Sequence, residues 1–111
     1  MHKTSYQLMT YFRDKYLSGI EGATVLDVGA RNLKNRKRSY TYRPLFEKFK
    51  YYGMDTSPGN NVDIVGYENI RGTFDILISG QTMEHVKQPW EWVRSLVPYF
   101  NHYICIIAPH T

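Results

Sequence analysis

Three short apolar segments of the chain each end in small or acidic residues. These residues are Asp27, Gly29 and Ala30 at the end of the first segment, Asp55 and Thr56 at the end of the second, and Gly80 with the polar Gln81 after the third. Glycine lets a ligand approach the backbone closely, and a carboxylate can accept hydrogen bonds from both vicinal hydroxyls of a ribose. In an open α/β sheet, ligands bind beyond the carboxyl ends of the strands. If the three segments are neighbouring strands, they predict a site for a nucleoside-bearing cofactor.

The two acidic residues contribute differently to this prediction. Asp27 stands inside an apolar strand, where an unpaired charge would cost free energy, and this favours a role in the site over a solvated turn. Asp55 ends its segment and is the expected ribose ligand. The alternative for Asp55 is a carboxylate that starts the turn Thr-Ser-Pro-Gly.

The segments around these residues alternate between strand and helix patterns. Short apolar runs bounded by turn residues predict strands over 23–28, 51–55, 62–65, 74–79 and 103–108. Helical spacing predicts a leading helix within residues 1–19, a short helix from Pro44 and a third helix from Pro89 that Pro98 ends or kinks. We expect one side of that third helix to carry Trp90, Val93, Leu96 and Val97. This order predicts an α/β fold, a Rossmann-like parallel sheet of about five strands with flanking helices.

Length and composition limit the classes of protein that remain. With 111 residues, 42% of them hydrophobic, we expect a single domain over 1–111 with its core over 23–109. Cys105 is the single cysteine, and the four histidines lack the spacing of a zinc site, so we predict no disulfide and no metal. No apolar run reaches the roughly 20 residues that cross a bilayer, and no signal peptide is evident, which favours a cytoplasmic protein without a membrane partner.

The segment after the first strand does not fit two common phosphate-binding motifs. Gly29 is followed by ARNLK, without the further glycines that the dinucleotide fingerprint G-x-G-x-x-G needs. No glycine precedes a Lys-Ser or Lys-Thr pair at the spacing of a P-loop either. A nicotinamide dinucleotide and nucleoside triphosphate hydrolysis are therefore disfavoured.

Four segments together resemble a known family. VLDVGA, YYGMDTSPGNNVDIV, FDILISGQTMEHVKQPWEWV and YICIIAP, within about Ala23 to Pro109, are similar to class I S-adenosylmethionine-dependent methyltransferases of the type 11 group, as is RPLF at 43–46. The resemblance implies transfer of a methyl group from S-adenosyl-L-methionine to an unidentified oxygen, nitrogen or carbon acceptor. It also implies roles for the strand-end residues: Asp27 and Gly29 at the methionine pocket, Asp55 on the ribose, Thr56 beside the adenosine, and Gly80 and Gln81 at the cofactor's edge. Ala30 is expected among the residues around the cofactor.

The chain departs from the family pattern at two places. Where many relatives have an acid for the adenine amino group, Tyr67 and Glu68 stand here. The family sheet continues past its fifth strand into a hairpin, whereas this sequence ends at Thr111, so we expect a fold without that hairpin. The fifth strand would then be an open edge that could pair with a second copy or a partner chain. This suggests an alternative function: an inactive methyltransferase remnant that binds the cofactor or assembles with a partner.

Glu84 and His85 are the candidates for acid–base chemistry. A histidine titrates near neutral pH, and a neighbouring carboxylate could orient it or the substrate. A sulfonium donor is already activated, however, and positioning alone can supply much of the rate of methyl transfer. We therefore leave the catalytic residue unassigned and expect His85 more often to pack or cap than to act as a base.

The basic residues are concentrated in one part of the chain. Eight Lys or Arg stand against the single acid Glu47 between Arg31 and Lys50, although the net charge of the whole chain is only +4. Cations mixed with tyrosines over 31–43 are compatible with a loop that contacts nucleic acid. A solvated loop explains the same composition, and we favour it. A nucleic-acid-binding module is thus the third functional hypothesis.

Overall fold

A computed structural model describes residues 3–32, 41–80 and 82–108 of the chain. Two α-helices, α1 and α2, and five strands, β1 to β5, follow one another with short 3-10 turns between them. In chain order the helices and strands are α1 (Lys3–Tyr16), β1 (Thr24–Val28), β2 (Lys50–Asp55), β3 (Ile64–Val65), β4 (Phe74–Ser79), α2 (Pro89–Leu96) and β5 (Phe100–Ile106). The 3-10 turns are Arg43–Phe46, Tyr67–Asn69, Met83–His85 and Val97–Tyr99.

The five strands form one parallel sheet in the order β3-β2-β1-β4-β5. The chain runs outward from β1 to β3, then returns to the other side of β1 for β4 and β5, so the strand order reverses next to β1. Helices flank the sheet, and the predicted Rossmann-like α/β arrangement is confirmed. The central position of β1 explains why its residues from Val25 to Val28 are all buried.

The two faces of the sheet carry separate cores because alternate residues of a strand point to opposite sides. Val25 packs on one face with α1, through Met9 and Phe12, and with the turn that begins at Arg43. Leu26 packs on the other face with α2. The remaining core of that second face comprises Val28, Met54, Ile70, Phe74, Leu77, Trp92 and Leu96.

Three details differ from the sequence-based expectations. Pro44 lies in a single 3-10 turn, β3 has only two residues, and β5 begins at Phe100, three residues earlier than predicted. The expected apolar side of α2 was wrong in part: Trp90 is 74% exposed and Val97 is 55% exposed, whereas Trp92 and Leu96 are buried. Trp92 and Leu96 are four residues apart and therefore lie on the same side of the helix. Trp90, two residues before Trp92, points to another side.

No helix in the described parts of the chain is long and apolar enough to cross a membrane. The order of the sheet places β5 at one edge and the short β3 at the other. Pairing of the β5 edge with another chain stays a prediction. Residues 33–40, which make up most of the basic loop 31–43, lie outside the described residues. The contact of this loop with nucleic acid also stays a prediction.

Candidate functional site

A cleft opens at the carboxyl ends of β1 and β2, beside the place where the strand order reverses. Its volume is about 340 Å³, within the range of small-ligand sites. It is lined by Gly29, Arg31, Met54, Asp55, Thr56, Tyr67, Thr82 and His85. Three predicted cofactor residues, Gly29, Asp55 and Thr56, therefore meet in one cleft, which we call the Asp55 cleft.

Asp55 is held in place by two backbone N–H groups. Arg31 N donates a hydrogen bond to Asp55 Oδ2 over 3.0 Å, and Thr56 N donates to Oδ1 over 2.8 Å. Each oxygen of a carboxylate has a second lone pair. The hydroxyl Oγ1 of Thr56 also lies 3.5 Å from Oδ1, a distance at which a hydrogen bond is weak. A diol placed in the cleft could therefore bind the open lone pair of Oδ2 and replace the long Thr56 contact at Oδ1.

Gly29 is required by its backbone conformation and by its neighbour Thr82. Its φ is +82°, and a Cβ built on it would lie 1.8 Å from Oγ1 of Thr82. Thr82 Oγ1 itself donates to the carbonyl of Val28, at 3.2 Å. The sequence pattern drew attention to Gly29 but not to Thr82, which lies just after the strand-end pair Gly80 and Gln81.

Asp27 lies beneath the surface and does not line the Asp55 cleft. Its side chain is buried, and Tyr51 donates a hydrogen bond to its Oδ2. Burial raises the pKa of Asp27 to about 7, while the hydrogen bond from Tyr51 and the charge of Arg43 act in the opposite direction. The buried carboxyl of Asp27 thus has a protein partner where the family resemblance implies a contact with the methionine pocket.

Gly80 and Ala30 are also closed off from the cleft. A Cβ on Gly80 would lie 2.1 Å from the hydroxyl oxygen of Tyr42, and the Tyr42 side chain is almost fully buried. That hydroxyl forms a hydrogen bond of 2.7 Å with Ser5 of α1. Ala30 is buried, and its N–H donates to the carbonyl of Met54. Gln81, the remaining predicted cofactor residue, lies outside the described residues.

Of the two acid–base candidates, the structure brings His85 to the cleft. His85 ends the 3-10 turn Met83–His85 and lines the cleft together with Asp55 and Tyr67. Glu84 lies in the middle of the same turn. His85 thus meets Gly29, Asp55 and Thr56 in one open cleft. Asp27, Ala30 and Gly80 are buried and do not line it.

The sequence resemblance aligns Tyr67 with the position where many members of the resembled family have an acid for the adenine amino group. The hydroxyl of Tyr67 accepts a hydrogen bond of 2.9 Å from Nε1 of Trp92 in α2. Tyr67 thus lines the cleft, and its hydroxyl is bound to α2. An aromatic ring in this position can offer packing to a base, in place of the charge-assisted hydrogen bond that an acid would accept.

Within residues 3–32, 41–80 and 82–108, no group of three or more His, Cys, Asp or Glu is placed to hold a metal ion. Comparison with known proteins adds no assignment. No family model matches the chain, no curated protein matches it, and no solved structure matches it. The functional hypothesis therefore depends on the sequence motifs and on the geometry of the cleft.

Proposed function

We propose that the Asp55 cleft binds the adenosine part of S-adenosyl-L-methionine and that the chain is the cofactor-binding domain of a methyltransferase. The observation that carries the proposal is the position of Asp55. Its carboxylate ends β2, lines the cleft next to Gly29 and accepts two backbone N–H groups. This leaves an acceptor site on Oδ2 and, on Oδ1, a site that only the long 3.5 Å contact of the Thr56 hydroxyl occupies. A ribose has the matching pair of vicinal hydroxyls.

The residues of the cleft fit a nucleoside better than they fit a polyphosphate. Among the residues that the structure describes, the strand ends present Gly29 and a carboxylate, and the lining contains one exposed cation, Arg31. Asp55 would repel a pyrophosphate. The segment after Gly29 also lacks the further glycines of the loop that usually binds one. S-adenosyl-L-methionine carries a nucleoside and no phosphate, and it supplies an activated methyl group when bound.

Isothermal titration calorimetry with S-adenosyl-L-methionine and S-adenosylhomocysteine tests the proposal on the whole chain. We expect both to bind, and we expect Asp55→Ala to weaken binding by about tenfold or more, because two charge-assisted hydrogen bonds are lost. Asp14→Ala is the matched control, since Asp14 is an exposed acid of α1 that pairs with Arg13 away from the cleft. Absence of binding by the folded protein, or equal weakening by both variants, contradicts the proposal.

A second candidate function is a module that binds the nucleoside without performing methyl transfer. The observation that favours it is the covering of Asp27 by Tyr51 and of Gly80 by Tyr42, which fills the side where the methionine part is expected. Adenosine distinguishes the two candidates. S-adenosylhomocysteine that binds much more tightly than adenosine supports the methyltransferase, whereas equal affinities support the nucleoside module.

A further inference from the structure

A second cleft lies on the same side of the molecule, between α1, the turn that begins at Arg43 and the loop from β2 to β3. Its volume is about 530 Å³. The segment after β1 contributes to both clefts, with Arg31 in the Asp55 cleft and Asn32 in this one. We call it the Arg43 cleft. Its described polar lining includes Asn32, Arg43, Asn60, Asn61 and Asp63, and Tyr6 is its aromatic residue.

Among the described residues that line the Arg43 cleft, the charges cancel. Nη2 of Arg43 lies 2.8 Å from Oδ2 of Asp63, and both side chains remain partly exposed. Partial burial acts to raise the pKa of Asp63, but hydrogen bonds from Gly53 N and Arg43 prevail and lower it, so Asp63 is a carboxylate. An anionic ligand would meet Asp63 and a cationic ligand would meet Arg43. The described lining therefore offers no net attraction to a charged ligand.

The polar groups of the cleft are fixed before any ligand binds. The guanidinium of Arg43 lies over the ring of Tyr51, 4.5 Å from its centroid, and its Nε donates to Asn61 Oδ1 over 2.7 Å. Asn61 Nδ2 donates both to the Ala30 carbonyl and to the Tyr51 hydroxyl. Asn60 Oδ1 accepts from Asn32 Nδ2 over 3.1 Å. Side chains held in this way lose little conformational entropy when a ligand binds.

The donors and acceptors of this lining match hydroxyl groups. A guanidinium only donates, a carboxylate only accepts, a carboxamide does both, and a hydroxyl can complement each of them. Tyr6, with Pro44 and Val62, adds apolar area on which the C–H face of a sugar ring can pack. We propose that the Arg43 cleft binds a neutral polyhydroxylated ligand, a sugar or a related polyol. This proposal is independent of the cofactor, because sugar binding requires no occupant of the Asp55 cleft.

Saturation-transfer NMR on the whole chain tests the ligand class. The probes are glucose, galactose, mannose and N-acetylglucosamine, each compared with the charged analogues glucuronate and glucosamine. We expect transfer to at least one neutral sugar and weaker transfer to the charged analogues. No transfer to any neutral sugar, or equal transfer to the charged analogues, overturns the proposal.

Two further measurements locate the binding. Asn60→Ala should weaken binding of the sugar by about tenfold, because the hydrogen bonds between the Asn60 carboxamide and the sugar hydroxyls are lost. Asn101→Ala is the matched control, because Asn101 is an exposed asparagine of β5 with a side-chain partner, Thr73, away from the cleft. Unchanged binding in Asn60→Ala contradicts the proposal.

The second measurement uses the unmodified chain, so it does not depend on the folding of a variant. The sugar should shift the side-chain amide signals of Asn60 and Asn61 in a nitrogen–proton correlation spectrum. Shifts confined to Gly29 and Thr56 would place the sugar in the Asp55 cleft and overturn the assignment to the Arg43 cleft.

Discussion

The hydroxyl of Tyr51 donates a hydrogen bond to Oδ2 of Asp27, and both side chains are buried within the sheet. The same hydroxyl accepts a hydrogen bond from Asn61 Nδ2 over 3.0 Å. A buried carboxyl is therefore connected, through one tyrosine and one asparagine, to the wall of the Arg43 cleft. This connection makes Asp27 important for stability whether or not a cofactor binds beside it.

Tyr51→Phe should destabilise the fold by about 1–3 kcal/mol, because it leaves the buried carboxyl of Asp27 without its tyrosine donor. Tyr52→Phe is the matched control, since Tyr52 is the neighbouring residue of β2 and is partly exposed. Its loss of a hydroxyl should change stability by less than about 0.5 kcal/mol. Chemical denaturation followed by circular dichroism measures both, and equal values for the two variants would contradict the role of Tyr51.

The free energy of unfolding should decrease as the pH rises from about 4 to about 7, on account of Asp27. Its pKa is raised from 3.8 to about 7 in the folded protein. Over this range the folded protein keeps a proton that the unfolded chain has released, so stability is lost as the pH rises. The size of the shift sets an upper limit of about 4 kcal/mol on the effect.

Asp63 and Asp75 act in the opposite direction and over a more acidic range. Their pKa values are lowered in the folded protein, so their contribution is present above the unfolded pKa and is lost as the pH falls through the folded value. Urea denaturation at about pH 5 and about pH 7.5, on wild type and Asp27→Asn, separates Asp27 from all other groups. A variant that keeps the full pH dependence of the wild type would show that Asp27 does not cause it.

Gly29→Ala should be more destabilising than Gly22→Ala. Both glycines have positive φ, +82° and +75°, but only Gly29 has a neighbour in the way, Oγ1 of Thr82. Gly22→Ala should therefore cost about 1 kcal/mol of backbone strain, and Gly29→Ala about 2–4 kcal/mol. Thermal denaturation of Gly29→Ala, Thr82→Ala and the double variant measures the coupling. Additive effects in this cycle would exclude the close approach to Thr82 as the cause.

Trp92→Phe should destabilise the fold, whereas Trp90→Phe should not. Trp92 is 9% exposed and donates its indole N–H to the hydroxyl of Tyr67. Loss of that hydrogen bond and of part of the buried ring should cost about 1–3 kcal/mol. Trp90 lies on the exposed side of α2, and its replacement should stay within about 0.5 kcal/mol. Equal effects in denaturant titrations would contradict the observed orientation of α2.

The strands could be predicted from the sequence because each is a short run rich in apolar or aromatic residues that glycine or proline follows within three residues. β4 matches its predicted bounds, and β1 and β2 differ by one residue. The orientation of α2 was harder to predict, since apolar residues stand on more than one side of this short helix. Only packing against the sheet determines that Trp92 is buried and Trp90 is exposed.

The convergence of Gly29, Asp55 and Thr56 was predicted, because strand ends of a parallel sheet must meet at one edge. The covering of Asp27 was not. Tyr51 lies 24 residues further along the chain, and its hydroxyl reaches Asp27 only through the register of β1 against β2. The Arg43 cleft was missed for the same reason, since its walls come from α1 and two loops.

The central position of β1 also limits how the chain can acquire its structure during synthesis. Val25 pairs with Tyr51 on one side and with Ile76 on the other, so no strand has its partner in a neighbouring hairpin. A nascent chain that has released β1 to β3 still presents one unpaired side of its central strand, β1, until β4 emerges. We expect the protein to fold slowly for its size, because the pairings of a parallel sheet are non-local. We expect the nascent chain that lacks β4 to be the species most prone to aggregation.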